Sequence, residues 1–263
     1  MLQTAVRASR PVNAAAFAYF NAQVADNEVW AGRMGVRLED MFPAGATVLD
    51  FGCGHGALSL AGATLGATVT GIDTDLKRIQ FARDNVEVLH PWLADRVTFV
   101  CARVESLAFD LRFDAVVSKD TFEHVKDPAA AVAAFGRLLR PGGHLYIGFS
   151  PLWHSPFGDH GFLTHRRVPW KHLFQSEHRF LAAHNAHTGR SDRTVADAGF
   201  NQWRPADFRR ALAENGFHTE RVRLNAACGL KRLAMVPLAL ARRVPALEAY
   251  ATVSMYLTAR KVG

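Results

Sequence analysis

Asp50-Phe51-Gly52-Cys53-Gly54-His55-Gly56 holds the residues whose types and spacing are best suited to chemistry. Three alternating glycines let backbone N–H groups approach a ligand where any Cβ would collide. The β-branched run Thr47-Val48-Leu49 precedes them and a helical pattern follows. A strand, a glycine turn and a helix N-terminus make a nucleotide-sized cradle, and the strand ends of an open α/β sheet are where such ligands bind. Gly52, Gly54 and Ala57 also satisfy the dinucleotide fingerprint, with Asp73 at about the ~20-residue spacing of a ribose-binding acid. Two readings compete, a dinucleotide and a cationic nucleoside.

Asp50 separates them. A carboxylate two residues before the first glycine would face a dinucleotide's pyrophosphate, and like charges in a half-dry cleft disfavour that ligand. S-adenosylmethionine carries a sulfonium and an ammonium and no phosphate, so the same acid attracts it. Gly71-Ile72-Asp73-Thr74-Asp75 ends the second strand, where Asp73 can accept from both hydroxyls of a ribose and Thr74 or Asp75 caps the next helix. On these residues the chain resembles the class I S-adenosylmethionine-dependent methyltransferases, small-molecule branch. The resemblance implies a cofactor site with Asp50 near the methionine moiety, Gly52, Cys53 and Gly54 under the cofactor, and Asp73 and Thr74 at the ribose.

It further implies that Phe99 to Leu107 lines the adenine pocket. Many relatives have an acid where this chain has Arg103, and a guanidinium cannot accept from the adenine amino group. Recognition then rests on the Val104 backbone, on Glu105 or on stacking by Arg103. Phe113 to Asp120 followed by Phe122-Glu123-His124-Val125 looks like the fourth strand and its exit loop, with Ser118 at the position facing the transferable methyl. No Asn/Asp-Pro-Pro-aromatic sequence stands at Ser118, which counts against an amide N-methyltransferase. Arg140-Pro141-Gly142-Gly143-His144-Leu145-Tyr146 matches the family's turn into its fifth strand.

Seven of the twelve histidines, His154, His160, His165, His172, His178, His184 and His187, fall in one segment. A neutral imidazole can take a proton near physiological pH. His154, His160 and His124 are therefore the expected catalytic residues, with Trp153, Phe157, Asp159, Phe162 and Trp170 lining an acceptor pocket. Asp159 and His160 with His154 and His165 could ligate a metal, but the spacing fits no metal motif and none is expected.

These residues need elements to position them. Hydrophobic periodicity alternates strand and helix from Thr47 to Ser150. Strands are predicted at Thr47 to Phe51, Ala67 to Asp73, Val97 to Cys101, Phe113 to Ser118, His144 to Ser150, His218 to Leu224 and Val253 to Lys261. Helices are predicted at Ala57 to Leu65, Leu76 to Leu89, Pro128 to Leu139 and Pro205 to Asn215. Pro141-Gly142-Gly143 should break the chain before the fifth strand, and Pro237 and Pro245 should break a Leu/Ala/Arg-rich helical stretch. Together with the resemblance this gives an α/β, Rossmann-like doubly wound, mostly parallel seven-stranded sheet, with an N-terminal helical cover and a lid inserted after the fifth strand. As one domain it divides into a cover (1–46), a cofactor core (47–150), a His/aromatic-rich lid (151–204) and a C-terminal helix and strand pair (205–263).

At 263 residues the chain suits one α/β core with additions. The N-terminal Arg7, Arg10 and the apolar run from Val12 imitate a signal peptide, but Asn13 and the absence of a cleavage site favour a short helix over the cleft. Three separated cysteines, Cys53, Cys101 and Cys228, predict a reduced, cytoplasmic setting. The net charge of +7 is spread without a Lys/Arg run longer than two, which speaks against nucleic acid. Lys231-Arg232 and Arg242-Arg243 with apolar residues between suit packing on the core or on a second copy better than a membrane-touching face. The expected partners are a small-molecule acceptor and a homodimer mate, with no stable membrane insertion. The expected reaction is methyl transfer from S-adenosyl-L-methionine to a small molecule, oxygen being the favoured nucleophile. A nicotinamide-dependent oxidoreductase, a nucleic-acid methyltransferase and a non-catalytic cofactor-binding interaction protein are the alternatives.

Overall fold

The computed structural model describes residues 14–108, 110–160, 168–225 and 236–263. Among them a seven-stranded sheet runs in the order β3-β2-β1-β4-β5-β7-β6. The strands are β1 (Thr47–Phe51), β2 (Thr68–Asp73), β3 (Val97–Cys101), β4 (Phe113–Lys119), β5 (Leu139–Phe149), β6 (Phe217–Leu224) and β7 (Met255–Lys261). The first five are parallel, and β7 pairs antiparallel with both β5 and β6. Chain order reverses between β1 and β4, so their C-terminal ends splay and open a crevice. Asp50 to Gly54 lie at the end of β1, Asp73 and Thr74 at the end of β2, and Val104 just past β3.

Helices cover both faces. α1 (Ala14–Met34), α2 (Leu38–Met41), α3 (Ala57–Thr64) and α4 (Leu76–Leu89) precede β4, and α5 (Pro128–Leu138), α6 (Glu177–Thr188) and α7 (Pro205–Glu214) follow it. Short helices at Val236–Ala241 and Glu248–Ala251 lead into β7. One core packs Trp30, Met34, Met41, Phe42 and Leu58 against Val48, Val69 and Val117. The other packs Phe122, Phe135, Phe149 and Phe208 against Leu49, Val116 and Leu145. Central β4 is apolar on both faces, as a strand covered by helices on each side must be. No helix among the described residues is long and apolar enough to cross a membrane.

Two boundaries differ from expectation. Pro141-Gly142-Gly143 does not precede β5 but lies inside it, where the register jumps from Phe113↔Leu139 to Ala115↔His144. The turn is tolerated there as a bulge because β7 pairs only from His144 onward. Pro237 lies within the described helix Val236–Ala241, and the residues before Val236 lie outside the described residues. The N-terminal helix is long rather than short, and Val12 and Asn13 lie outside the described residues.

No element is predicted between Ser150 and Pro205, yet the segment contains α6 and a cluster of its own, Trp153, Phe180, Leu181, Val195, Ala198 and Phe200. Ser176 Oγ accepts from Arg179 N–H to start the helix, and Gly189 at φ 68° ends it. The buried face is Phe180, Leu181 and His184. A histidine at an apolar-face position hid the period.

Candidate active site

β1, β2 and β4 end around a cavity of about 320 Å³ lined by Asp50, Gly52, Cys53, Gly54, Asp73, Thr74, Val104, Glu105 and Asp120, among others. α1 closes one side with Tyr19, Gln23 and Asn27, which are four residues apart and so share a helix face. The cavity is apolar along Phe51, Leu58, Ile72 and Val104 and polar at both ends.

The glycine turn is built for backbone approach. Gly52, Gly54 and Gly56 all have positive φ, and a Cβ at Gly52 would strike the Thr121 side chain. A Cβ at Gly54 would meet nothing within 4 Å, so the space it would fill is left open beside the cavity. Gly52 and Cys53 N–H both donate to the Ile72 carbonyl, at 2.8 and 2.9 Å, tying the turn to β2. Cys53 is buried, and burial pushes its thiol well above the ordinary range, so it is no nucleophile at neutral pH.

Asp73 accepts from Gly54 N–H at 3.0 Å and from Asp75 N–H at 2.8 Å. Each carboxylate oxygen still has a lone pair for a ligand. Asp75, not Asp73, caps α4, accepting from Lys77 N–H at 2.8 Å and Arg78 N–H at 3.4 Å. Asp73 is therefore spare for binding. Asp50 is 1% exposed, and its Oδ2 accepts from Ser59 Oγ–H at 2.6 Å. Burial raises its pKa to about 7, with Asp73 adding to the rise and Ser59 and Lys119 opposing it. The floor of the cavity thus holds a carboxylate whose ionisation a nearby cation would complete.

Val104 opens a 3-10 turn, Val104–Ser106, at the adenine end. Its N–H, in the first residue of that turn, has no acceptor within the turn. Arg103 pairs with Glu105, Nη2 to Oε1 at 3.3 Å, and both line the cavity.

Ser118 is not among the lining residues. Its side chain turns into the sheet's packing, 1% exposed, with Oγ lacking a hydrogen-bond partner among the described residues. The wall is made instead by the next three residues, Lys119, Asp120 and Thr121. Lys119 Nζ donates to Asn27 Oδ1 at 3.0 Å and Gln23 O at 3.3 Å and pairs with Asp26 Oδ2 at 3.2 Å. Desolvation lowers its pKa while Asp26 opposes that. Asp120, at φ 47°, has a carboxyl raised to about 6, chiefly by desolvation. Sequence reasoning missed it. The only available signal was its residue type, since Asp tolerates positive φ where most side chains do not.

A second compartment of about 740 Å³ adjoins the first through Asp73, Thr74, Arg78 and His124. Asp159, His160, His184, His187, Arg190 and Phe200 line the rest of it. His124 and His160 stack with ring centroids 4.8 Å apart and planes at 26°, and Phe200 lies 5.6 Å from His160. His124 Nδ1 lies 2.7 Å from the Gly199 carbonyl. A carbonyl only accepts, so Nδ1 carries the hydrogen and Nε2 keeps the basic lone pair. Desolvation lowers the His124 pKa, the Gly199 carbonyl raises it and Arg78 lowers it. His160 is brought down to about 4 by desolvation and then by His124. Both rings are neutral at physiological pH.

His154 lines neither compartment. After β5 the chain coils through turns, Leu152 N–H donating to Val253 O at 3.0 Å and Ser155 N–H to Leu152 O at 3.0 Å. That turns His154 against Tyr250, with ring centroids 5.8 Å apart, and desolvation lowers its pKa to about 4. Trp153 packs in the cluster behind Phe200, and Trp170 Nε1–H donates to Tyr250 O at 3.1 Å. Phe162, His165 and Cys228 lie outside the described residues. Among those described, no three His, Cys, Asp or Glu side chains group so as to hold a metal ion.

Comparison with known proteins agrees with this geometry. Residues 49–147 match the family described as a methyltransferase domain. A ubiquinone biosynthesis O-methyltransferase of Xanthomonas axonopodis pv. citri is 42% identical over 124 residues, 46% of this chain and 48% of the relative. Its counterpart in Alkalilimnicola ehrlichii is 44% identical over 115 residues, 43% of this chain and 44% of the relative. The chain spans about half the length of the curated relatives it matches. Among solved structures, geranyl diphosphate methyltransferase in complex with SAM superposes with TM-score 0.56 at 15% identity, covering 96% of this chain and 93% of that one. The cyclase SpnF superposes with TM-score 0.56 at 21% identity, covering 92% and 83%. The match over residues 49–147, on this sheet order, identifies a methyltransferase domain in the core of the chain.

Proposed function

We propose that the chain transfers a methyl group from S-adenosyl-L-methionine to a hydroxyl of a small-molecule acceptor. The observation that carries this reading is a buried acid and a spare acid lining one cavity. Asp50 suits a cation, and Asp73 suits a pair of hydroxyls. The open space at Gly54 fits a ligand lying against backbone. When bound, the cofactor supplies an electrophilic methyl on a sulfonium. Asp50 and Asp120 give that charge two carboxylates whose raised pKa values a cation would lower. Asp73 and Thr74 take the ribose, and Val104 N–H and Glu105 the adenine edge. Tyr19, Gln23 and Asn27 cover the cleft and exclude water.

The acceptor takes the second compartment, against the flat wall of His124, His160 and Phe200. Alignment of nucleophile and methyl supplies most of the acceleration, worth ~7–11 kcal/mol. His124 Nε2 accepts the hydroxyl proton, which adds ~10²–10⁴-fold. His160 holds the ring of His124 by stacking. The relatives' name supports oxygen as the nucleophile.

The test is transfer of labelled methyl to a panel of phenols, alcohols and carboxylates. Label should appear on a hydroxyl, and His124→Ala should cut the rate ~10²-fold or more with cofactor affinity unchanged. A rate unaffected by His124→Ala, with carboxylates preferred, would replace the base by a nucleophile that needs none.

A further inference from the structure

Two features around His124 lie outside the cofactor cradle. The segment from Gly199 to Trp203 runs along the 3-10 turn Phe122–His124 and bonds to it repeatedly. Asn201 is 7% exposed. Its N–H donates to Glu123 O at 3.2 Å, its Nδ2–H donates to Phe122 O, and its Oδ1 accepts from Trp203 N–H at 3.2 Å. Gly199 O receives the His124 Nδ1–H at 2.7 Å. The same segment supplies Phe200 to the wall that His124 and His160 share. One short stretch therefore fixes the place of the turn, the rotation of the ring and the nitrogen that bears the proton.

We propose that Gly199 and Asn201 are positioning residues for His124, the first by selecting the tautomer that leaves Nε2 basic and the second by stapling the turn that carries the ring. The inference rests on the reading of His124 as the base. Without the Gly199 carbonyl the two neutral tautomers of an imidazole would be of similar energy, and half the molecules would present Nε2 already protonated. Without the Asn201 side chain, the Phe122 carbonyl would keep only the Val125 N–H at 3.3 Å and Trp203 N–H would lose its acceptor. The titratable groups facing the ring are Arg78 and His160.

Gly199 offers a clean handle. Its φ is 90°, and a Cβ there would meet only His124 Nδ1 at 3.9 Å, so a substitution stresses the backbone and not the packing. Asn tolerates such φ several times better than a β-branched residue. Gly199→Asn should therefore retain the carbonyl's place and Gly199→Val should move it.

The experiment is nitrogen-15 NMR of the His124 ring in the full chain, with methyl-transfer pH profiles alongside. Wild type and Gly199→Asn should show one tautomer, Nδ1–H. Gly199→Val and Asn201→Ala should show a mixture, with turnover down about tenfold, cofactor KM unchanged and the acid limb of the profile moved to lower pH. The limb moves down because the Gly199 carbonyl raises the His124 pKa. A single Nδ1–H tautomer in both Gly199→Val and Asn201→Ala overturns the proposal. If Gly199→Val does not fold, Asn201→Ala decides alone. The ring spectrum needs no turnover, so absence of methyl transfer in wild type would sink the functional reading and leave the positioning result standing.

Discussion

Asp50 sits where a carboxylate is costly. Its folded pKa of about 7 lies above the ~3.9 of a free side chain, so above pH ~4 ionisation opposes folding, and the opposition grows until pH passes about 7. Asp50→Asn keeps an oxygen for Ser59 Oγ–H and removes that opposition. The ligand-free variant should be more stable than wild type at pH 8, by ~1–4 kcal/mol, and no more stable at pH 4. Urea unfolding at the two pH values checks this, and an equal difference at both would remove the argument. Asp73 is half-buried and accepts two backbone N–H bonds. Asp73→Ala should weaken cofactor binding by about 1.5–3 kcal/mol per lost charge-assisted bond. Both acids were legible in the sequence because their positions follow from where strands end. Asp120 and the displacement of Ser118 were not, because the direction of a side chain past a strand's end depends on a backbone turn that residue type does not encode.

The elements divide along the same line. Strands and helices up to Ser150 follow from periodicity and caps, and Leu76–Leu89 is where the pattern put it. α6 was hidden because His184 replaces an apolar residue on its buried face. His154 falls outside both compartments because the turns after β5 are tied to Val253, a residue a hundred positions away. α1 is held to the cleft by the ion pair of Lys119 with Asp26 and by its bond to Asn27, whose Nδ2–H also donates to Ala57 O at 3.2 Å. Lys119→Met should release it. Breaking a buried pair costs ~3–5 kcal/mol, and the lower end applies here because the Asp26 side chain is 34% exposed. Hydrogen exchange should quicken along α1 relative to β4. Unchanged protection of α1 would mean that its other contacts, Trp30 Nε1–H to Gly148 O at 3.1 Å and Asn27 to Ala57 O among them, hold the cover.

At the scale of the whole molecule, the reversal of strand order between β1 and β4 decides where a ligand goes, and side chains decide which ligand. The superposition on a cyclase at TM-score 0.56 makes the same point, since one fold accommodates different chemistries. The central claim is that Asp50 gives the cradle its preference for a cation over a pyrophosphate. Calorimetric titration with S-adenosylmethionine and with NAD, at pH 6 and 7.5, in wild type and Asp50→Asn, tests it most directly. Cation binding favours ionised Asp50, so affinity for S-adenosylmethionine should rise by up to about eightfold from pH 6 to 7.5, with proton release, given a free pKa of about 7. The rise should vanish in Asp50→Asn, and NAD should not bind measurably. Tight binding of NAD, or S-adenosylmethionine affinity independent of both pH and Asp50, would contradict the account.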